Sequence, residues 1–258
     1  MPLNSATILK IPFSGSRREE VLEKILAFEA DLWPKKPLII FTPNPEFLVE
    51  ASKNLEFKEI LQRSEINLPD GVGLILAAKV LGKQIGSRFS GADLTEELLT
   101  VANEKKWTIG IVAARRGVRS EASELIKRLQ IKYPNTTFVN LDDPNYQFLI
   151  SNFKTNPNDQ NSKFNIQYSK FNVIFACQGM VKQETWIMNN KDRIKARVFI
   201  GVGGSLDFIT GFTRRAPGIM RVIGLEWLWR GLQHPRHFKR IWKAVFEFGL
   251  LVLKEKFS

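Results

Sequence analysis

The sequence predicts an α/β fold of the Rossmann-like type, with a largely parallel sheet flanked by helices and a C-terminal helical appendage. Short apolar runs end in polar turn residues, and amphipathic helical patterns lie between these runs. Basic and aromatic residues are concentrated near the C-terminus. Alternation of strands and helices is typical of a parallel sheet covered by helices, which is the basis of the prediction.

Five runs rich in Val, Ile and Phe are the predicted strands. They are 37–41, 107–114, 136–141, 171–179 and 196–202. Because these runs do not alternate apolar with polar residues, we expect strands that are buried on both faces. Ligands of such sheets bind at the carboxyl ends of the strands. The residues just past these ends include Thr42, Asn44, Arg115, Gln183 and Gly204.

Composition limits the class of protein and the compartment. The 258 residues are 44% hydrophobic and 25% charged, which is typical of a globular chain. A single cysteine, Cys177, permits neither an internal disulfide framework nor a cysteine-based zinc site and fits a reducing compartment. No apolar run approaches the roughly 20 residues that cross a bilayer, and the N-terminus lacks a signal-peptide core. We therefore expect a cytoplasmic protein, with a catalytic domain at 1–205 and an appendage at 206–258.

The net charge of +12 suits nucleic acid, anionic lipid or a phosphate-bearing substrate. From Asp207 onward there are ten Lys or Arg residues against four acids, and both histidines, His234 and His237, lie there too. The first two hundred residues contain no histidine. A general base in that part of the chain must therefore be a carboxylate.

Asp70 lies between a proline and a Gly-x-Gly in the stretch "NLPDGVG" (67–73), just before a helical pattern. It is either the N-cap of that helix or a residue that faces a substrate. Residue patterns alone favour the cap, because caps far outnumber catalytic acids. In the same way, Ser90 and Asp93 form a plausible capping box, and an arginine such as Arg88 is more often a solvated charge than a ligand.

Several blocks together resemble the WecG/TagA/CpsF glycosyltransferases, family 26 of the sequence classification. They are "TPNPEFLVEA" (42–51), "LPDGVGLILAAKVLG" (68–82), "RFSGADLTEEL" (88–98), "KQETWI" (182–187) and the long block from Val198 to His237 with "RRAP", "GLEWLWR" and "HPRH". The resemblance implies transfer of N-acetylmannosamine or its uronic acid from a UDP-sugar donor. The acceptor it implies is a polyprenyl-diphosphate-linked GlcNAc at the cytoplasmic face of the membrane, in cell-surface polysaccharide synthesis.

For individual residues, the resemblance implies that Asp70 is the general base of an inverting single displacement. Thr42 and Asn44 would orient sugar or base hydroxyls, Arg88 would face phosphate, and Gln183 would bind substrate. In the appendage, Arg215, Arg221 and Arg230 would contact the diphosphates of the lipid acceptor or the donor, or the membrane. Asp93, Glu184 and Asp207 lie in matching blocks too, but capping and core-edge roles explain them equally well.

The C-terminal segment "FKRIWKAVFEFGLLVLKEKF" (238–257) predicts a helix with Ile241, Val245, Phe248 and Val252 on one face. This helix either packs on the core or lies in the interface of an anionic membrane, and the resemblance favours the membrane. An apolar, basic appendage could equally pack on a neighbouring subunit, so a homo-oligomer is possible.

The chain has no Asp-x-Asp triplet of the kind that holds a divalent metal on a diphosphate, so we expect no cofactor and metal-independent catalysis. It departs from the family at Ala113 and Ala114, where a Gly-Gly is usual, and at Val181, where a proline is usual. The two alanines would hinder backbone approach to the donor.

Two other function classes fit parts of the sequence. A basic nucleic-acid-binding protein would explain the charge, but no reading module appears and no nucleic-acid partner is expected. A nicotinamide-dependent dehydrogenase would explain "GVGGS" after a strand, but the G-x-G-x-x-G fingerprint is incomplete.

Overall fold

The computed structural model of the protein describes residues 5–30, 36–144, 170–222, 224–233 and 235–257. The strands are β1 (Ser5–Ile8), β2 (Ile11–Ser14), β3 (Leu38–Phe41), β4 (Ile66–Asn67), β5 (Thr108–Val112), β6 (Thr137–Asn140), β7 (Phe171–Ala176) and β8 (Ala196–Gly201). Six of them form a parallel sheet in the order β4-β3-β8-β7-β5-β6, and β1 pairs antiparallel with β2. The predicted α/β fold is confirmed, and all five predicted strands are present.

The described helices flank and connect these strands. They are α1 (Arg18–Ala30), α2 (Pro45–Lys53), α3 (Leu55–Gln62), α4 (Val72–Val80), α5 (Gly91–Lys105), α6 (Arg119–Lys132), α7 (Lys182–Asn190), α8 (Ser205–Ile209), α9 (Gly218–Val222), α10 (Glu226–Gln233) and α11 (Pro235–Lys256). A short 3-10 helix, Ala114–Gly117, follows β5.

Burial on both faces is confirmed for most of β3, β5, β7 and β8. The prediction is wrong for β6, where Thr137 is exposed and the other three residues are only partly buried, because β6 is the last strand at one edge of the sheet. All four residues of β3 are buried, and the last four residues of β7 and of β8 are buried as well. Among the largest fully buried side chains are Phe41, Phe175 and Phe199. Full burial of such a side chain contributes roughly 1.5–3 kcal/mol to folding. The apolar runs therefore form the centre of the core.

The chain divides into two compact units. The first comprises Met1–Lys24, Ile40–Leu94 and Gly211–Ser258, and the second comprises Ile25–Ile39 and Thr95–Thr210. The C-terminal segment from Gly211 thus clusters with residues that carry the "TPNPEF" and "LPDGVG" stretches. The predicted domain boundary between 205 and 206 stays a prediction.

In the second unit, the two strands that follow β5 in the chain lie on opposite sides of it in the sheet. The neighbours of β5 are β6 on one side and β7 on the other, and all three strands are parallel. The chain therefore crosses from one side of β5 to the other after β6, which makes the carboxyl ends of β5 and β7 a topological switch point. Loops that follow these strands are the sequence's best candidates for ligand contacts in this unit.

Helix α11 packs through one face and exposes apolar residues on another. Ala244, Phe248 and Val252 are buried, and ion pairs of 2.6 Å join Lys53 to Glu247 and Lys83 to Glu255. Several apolar side chains are nevertheless exposed, namely Trp242, Val245, Phe246, Leu250 and Leu253. The predicted helix is confirmed, but the predicted face is wrong at Val245, which is 41% exposed; the side chain of Ile241 lies outside the described residues. Within the ranges that the structure describes, no helix has the length and apolarity needed to span a membrane.

Candidate active site

The loop that carries Asp70 runs beside the loop that follows β3. The Leu68 N–H donates to the Phe41 carbonyl at 2.9 Å, and the Asp70 N–H donates to the Pro43 carbonyl, also at 2.9 Å. Both loops leave the carboxyl ends of paired parallel strands, β3 and β4. The pairing places Asp70 next to the segment that carries Thr42 and Asn44.

Asp70 is not the N-cap of α4, so the capping interpretation is wrong. The N-cap is Gly71, which has a φ of 97° and makes no side-chain capping hydrogen bond. Asp70 therefore lies one residue before the N-cap, and its side chain is half-buried. The left-handed conformation at Gly71, which favours glycine, separates the acid from the helix it was expected to cap.

The Gly-x-Gly after Asp70 is explained by packing. A Cβ on Gly73 would lie 2.8 Å from Cγ of Pro45, the first residue of α2. Glycine lets α4 approach α2 at this point, which brings the start of α4 close to the "TPNPEF" loop. The spacing of these glycines therefore has a structural reason.

Thr42 and Asn44 both make structural contacts. Thr42 is 8% exposed, and a Cβ on Gly91 would lie 2.9 Å from its Oγ1, so the start of α5 packs on this side chain. Asn44 is the N-cap of α2, and its Oδ1 accepts from the backbone N–H groups of Glu46 and Phe47 at 2.9 and 3.3 Å. This capping role of Asn44 was not recognised from the sequence.

Arg88 lies beside the Asp70 loop and contacts the C-terminal segment. The Phe89 N–H donates to the Pro69 carbonyl at 2.9 Å. Arg88 precedes Phe89 and Asp70 follows Pro69, so Arg88 and Asp70 lie on adjacent loop segments. Arg88 Nη2 donates to the Arg221 carbonyl. Arg88 is half-buried. It is therefore held in place rather than solvated.

Gly224 allows the C-terminal segment to reach this position. It has a φ of 81°, and a Cβ there would lie 2.8 Å from Val72 Cβ and 2.9 Å from Arg88 Nη1. Both contacts involve residues that flank the Asp70 loop. No local sequence pattern predicts this contact, because Val72 and Arg88 are more than a hundred positions away from Gly224.

Arg215 is the centre of a charge cluster in the same unit. Its Nη2 lies 2.5 Å from Asp93 Oδ1 and 3.4 Å from Ser90 Oγ, and its Nε lies 3.3 Å from Glu226 Oε1. Asp93 therefore pairs with Arg215 in addition to any role at the start of α5. The C-terminal segment is thus tied by Arg215 to α5 and by Gly224 to Arg88.

The other two predicted appendage arginines are less fully described. Arg221 lies in α9, and its Nε is buried without a hydrogen-bond partner among the described residues. Arg230 lies in α10, and its side chain is outside the described part of the structure.

Gln183 and Glu184 form a buried polar pair in the second unit, at the start of α7. Gln183 is 3% exposed and Glu184 is 0% exposed. Gln183 Nε2 donates to Glu184 Oε1 at 2.6 Å, and the Gly203 N–H donates to Gln183 Oε1 at 3.0 Å. Burial raises the pKa of Glu184 to about 7, although hydrogen bonds from Gln183 and from nearby backbone N–H groups oppose the shift.

The switch point of the second unit carries strained backbone. Ala113, which directly follows β5, has a φ of 52°, and its N–H donates to Asp142 Oδ2 at 2.5 Å. The pKa of Asp142 is raised, because the effect of burial exceeds that of the hydrogen bond from the Ala113 N–H, which lowers the pKa. Arg115 in the next turn pairs with Glu121 at 2.8 Å and with Asp207 at 3.2 Å. Val181, at the start of α7, also has a positive φ, of 70°.

The glycosyl transferase WecG/TagA/CpsF family model matches residues 6–258. The chain belongs to this family. The N-acetylglucosaminyldiphosphoundecaprenol N-acetyl-beta-D-mannosaminyltransferase of Bacillus subtilis (strain 168) is 29% identical over 254 residues, which cover 98% of this chain and 93% of that protein. Proteins of the same name from Staphylococcus aureus strains MRSA252 and MW2 are 29% and 28% identical over 255 residues, covering 96% of this chain and 92% of each relative.

Membership of the WecG/TagA/CpsF family confirms the resemblance and the enzyme class, a hexosyltransferase. The comparisons support neither a nucleic-acid-binding protein nor a dehydrogenase. The roles of the individual site residues stay predictions. In the first unit, the structure brings Thr42, Asn44, Asp70, Arg88 and the Arg215 cluster into one connected set of loops.

Proposed function

We propose that this protein is an inverting glycosyltransferase. It moves N-acetylmannosamine or N-acetylmannosaminuronic acid from a UDP-sugar to a polyprenyl-diphosphate-linked GlcNAc. The relatives whose names state the N-acetylmannosaminyl transfer and the diphosphoundecaprenol acceptor match this chain over nearly its whole length. Their names support the acceptor and the sugar; the UDP carrier and the choice between the two sugars rest on the family resemblance.

Asp70 is the general base of this proposal, and its position before Gly71 is the observation that carries it. A helix cap would have explained the acid, but the cap is a glycine. An acceptor hydroxyl is a poor nucleophile until a nearby base takes its proton as the new C–O bond forms. Both histidines of the chain lie at positions 234 and 237, so a carboxylate is the base that this loop can offer. In a single displacement, the proton passes to Asp70 while the bond from the sugar to UDP breaks.

Arg88 stabilises the leaving diphosphate in this proposal. A guanidinium has five N–H donors in a fixed fork that matches phosphate oxygens. The contact with the Arg221 carbonyl uses Nη2 and fixes the plane of the fork beside the Asp70 loop. A cation held rigidly in this way is favourable for catalysis, because little reorganisation is needed as negative charge develops on UDP.

Thr42, Asn44 and Gln183 position substrate in the proposal, each from a side chain already fixed by a structural contact. Asn44 is held as a helix cap and Thr42 is packed against Gly91. A preorganised polar group loses less freedom when it binds a sugar hydroxyl. The roles of these three residues rest on the family resemblance.

The appendage arginines bind diphosphate in the proposal, although the structure assigns them different surroundings. Arg221 has a buried Nε without a hydrogen-bond partner in the described residues, which suits a guanidinium that takes an anionic ligand. Arg215 is already engaged by Asp93 and Glu226, so a diphosphate would have to share or displace a carboxylate. Arg230 keeps the role that the resemblance implies.

The decisive experiment is turnover with a panel of UDP-sugars and a short-chain lipid-diphosphate-GlcNAc, read as released UDP. Turnover with UDP-N-acetylmannosamine or its uronic acid is expected, and its absence across the panel would reject the activity. Asp70→Asn should lower kcat by about 10²–10⁴-fold, because the amide cannot take the proton. Asp192→Asn is the matched control, since Asp192 is an exposed aspartate whose described partner is Lys191. Near-normal turnover in Asp70→Asn would reject the assigned base and keep the family.

Peripheral docking on the inner face of the cell membrane is the second part of the proposal. Helix α11 exposes Trp242, Phe246 and Leu250, and Lys243, Lys254 and Lys256 lie on the same helix. Apolar and aromatic side chains beside lysines suit the headgroup region of an anionic membrane. Docking there would place the enzyme beside a lipid-linked acceptor.

Vesicle flotation tests this docking without deleting a helix that also packs on the core. Trp242→Ser with Phe246→Ser should reduce binding to phosphatidylglycerol vesicles, and Leu55→Ser, which alters an exposed apolar residue of α3, should not. Unchanged flotation would refute docking through this face. Loss of a dimer in light scattering, with vesicle binding unchanged, would show that this face contacts a second subunit.

Catalysis without a metal is the third part, and it rests on the missing Asp-x-Asp triplet. The rate should be undiminished in excess chelator. A rate that returns only with magnesium or manganese would refute it.

A further inference from the structure

Glu184 is a buried acid that the proposed mechanism does not use. It is the third residue of α7, and its side chain is fully buried. Its Oε1 accepts from Gln183 Nε2 at 2.6 Å, whereas its Oε2 is buried without a hydrogen-bond partner among the described residues. A carboxyl group is costly to bury, so its retention here needs a reason.

The two contacts of Gln183 leave its amide one orientation. The amide nitrogen must face the acceptor, Glu184 Oε1, and the amide oxygen must face the donor, the Gly203 N–H. A flipped amide would set oxygen against oxygen on one side and nitrogen against N–H on the other. Glu184 and the Gly203 N–H therefore together decide which way the Gln183 amide points.

The backbone after β8 is built around this pair. A Cβ on Gly201 would lie 2.7 Å from Gln183 Nε2 and 3.0 Å from Glu184 Oε1, so the strand end has room only for glycine. Two residues later Gly203 adopts a φ of 52°, and Gly204 is the N-cap of α8. The glycine loop Gly201–Gly204 is thus held by Gln183, which is held by Glu184.

We propose that Glu184 is a positioning residue of the transferase, which fixes the amide of Gln183 and through it the backbone of Gly203. The inference rests on the proposed function in one respect, because Gln183 binds substrate in that proposal. Glu184 itself touches neither substrate in this proposal. Its effect is to present the Gln183 amide and the glycine loop in one conformation.

If Glu184 positions Gln183, substrate binding should depend on the protonation of Glu184. A role in packing alone predicts no such pH dependence. Burial brings the Glu184 pKa to about 7, within the range of an ordinary assay. The groups that lower this pKa are the Gln183 amide and the backbone N–H groups of Glu184 and Val181. None of the described charged side chains of α7, β7 or β8 contributes to the shift. Protonation removes the negative charge that favours the bond from Gln183 Nε2, so positioning should weaken as the pH falls below about 7.

Steady-state kinetics form the first arm of the test. Glu184→Leu should raise KM for the UDP-sugar about tenfold or more with a smaller change in kcat, because positioning acts on binding. Glu184→Gln keeps an oxygen that can accept from Gln183, so it should restore most of the affinity and abolish the rise in KM at acid pH. Glu56→Gln, an exposed glutamate in the first turn of α3, is the matched control. A wild-type KM in Glu184→Leu, or an unchanged pH profile in Glu184→Gln, would overturn the proposal.

The second arm does not depend on activity. The sequence contains two Val-Gly pairs, Val72–Gly73 and Val202–Gly203. Protein labelled with [13C′]valine and [15N]glycine therefore gives two carbonyl-filtered amide signals, one from Gly203 and one from Gly73 as an internal control. The Gly203 signal should titrate near pH 7 in the wild type and stay fixed in Glu184→Gln. A Gly203 signal that ignores pH, or titrates alike in both proteins, would overturn the Glu184 proposal even if the enzyme turns over. Absence of turnover with a titrating Gly203 would overturn the activity and keep the positioning.

Discussion

Arg215 Nη2 lies 2.5 Å from Asp93 Oδ1, although the two residues are 122 positions apart in the sequence. The same guanidinium lies 3.3 Å from Glu226 through Nε, and the side chains of Arg215 and Glu226 are 16% and 18% exposed. One partly buried cation therefore joins the first turn of α5 to the first turn of α10. The C-terminal segment is fastened to its own unit by this cluster.

Removing the Arg215 cation should destabilise the fold. Arg215→Met leaves two carboxylates facing each other, and we expect a loss of about 1–3 kcal/mol in the free energy of unfolding. Urea unfolding is the measurement, and Glu226→Gln added to Arg215→Met should recover part of the loss. Arg63→Met is the control, since its ion pair with Glu59 is exposed and should change stability by less than about 1 kcal/mol. Wild-type stability in Arg215→Met would show that the cluster contributes nothing.

Gly224 should tolerate no side chain. Gly224→Ala would place its Cβ 2.8 Å from Val72 Cβ with the backbone at a φ of 81°, so both overlap and conformation oppose the change. We expect a loss of about 2–4 kcal/mol in the free energy of unfolding, together with a lower kcat because Arg88 must move.

Gly249→Ala is the matched control for this substitution. Gly249 lies in α11 with open space around the position of a Cβ, so alanine there should be neutral or stabilising by up to about 1 kcal/mol. Equal stability of the two alanine variants in urea would contradict the close contact at Gly224.

The strands that were predicted share one property, and the strands that were missed lack it. Continuous apolar runs such as Leu38–Phe41 predict buried parallel strands. Strand β4 is only two residues long, Ile66–Asn67, too short for any pattern. The hairpin of β1 and β2 turns at Leu9 and Lys10, whose φ values of 51° and 66° normally call for Asn or Gly. The Leu9 N–H donates to Glu255 Oε2 at 2.7 Å, so tertiary contact supports a turn that local sequence does not predict.

The sequence indicates the positions of the candidate site residues, whose roles stay predictions, but it does not indicate their contacts. Strand ends followed by polar residues pointed to Thr42, Asn44 and Gln183, and family motifs pointed to Asp70 and Arg88. The cap at Gly71 was missed because an Asp before a helix has the same sequence signature whether or not one residue intervenes. The role of Gly203 as donor to Gln183 was missed because hydrogen bonds across 20 positions follow from the sheet, not from the local pattern.

Ala113 should accept glycine with a gain in stability. A left-handed alanine costs about 1–2 kcal/mol, and the extra freedom of glycine in the unfolded chain costs about 0.5–1 kcal/mol. With a φ of 52° at Ala113, Ala113→Gly should therefore raise the free energy of unfolding by up to about 1 kcal/mol. Removing the methyl should also lower KM for the donor if nucleotide approaches this strand end. Ala122→Gly, inside α6, is the control and should be destabilising. A less stable Ala113→Gly would mean that the bond to Asp142 already removes the strain.

The buried carboxyl of Glu184 should make the stability of the wild type fall as the pH rises toward neutrality. Its pKa is raised by burial from an ordinary 4.5 to about 7, so the folded state holds the proton over a range in which the unfolded chain has lost it. Stability from this group is complete below pH 4.5 and is lost as the pH rises through about 7.

Glu184→Gln removes that titration and keeps the shape of the side chain. Relative to the wild type, the Tm of the variant should rise by several degrees between about pH 5 and pH 8. Most of this relative gain should develop as the pH rises to about 7, where the wild type loses stability. Thermal unfolding of both proteins across this range is the measurement. Glu56→Gln should run parallel to the wild type, because Glu56 is exposed. A Tm difference between Glu184→Gln and the wild type that stays constant with pH would mean that Glu184 titrates alike in the folded and unfolded chain. In that case the carboxyl would be solvated rather than buried, and the strand end at Gly201 would have to be more open than its contact distances indicate.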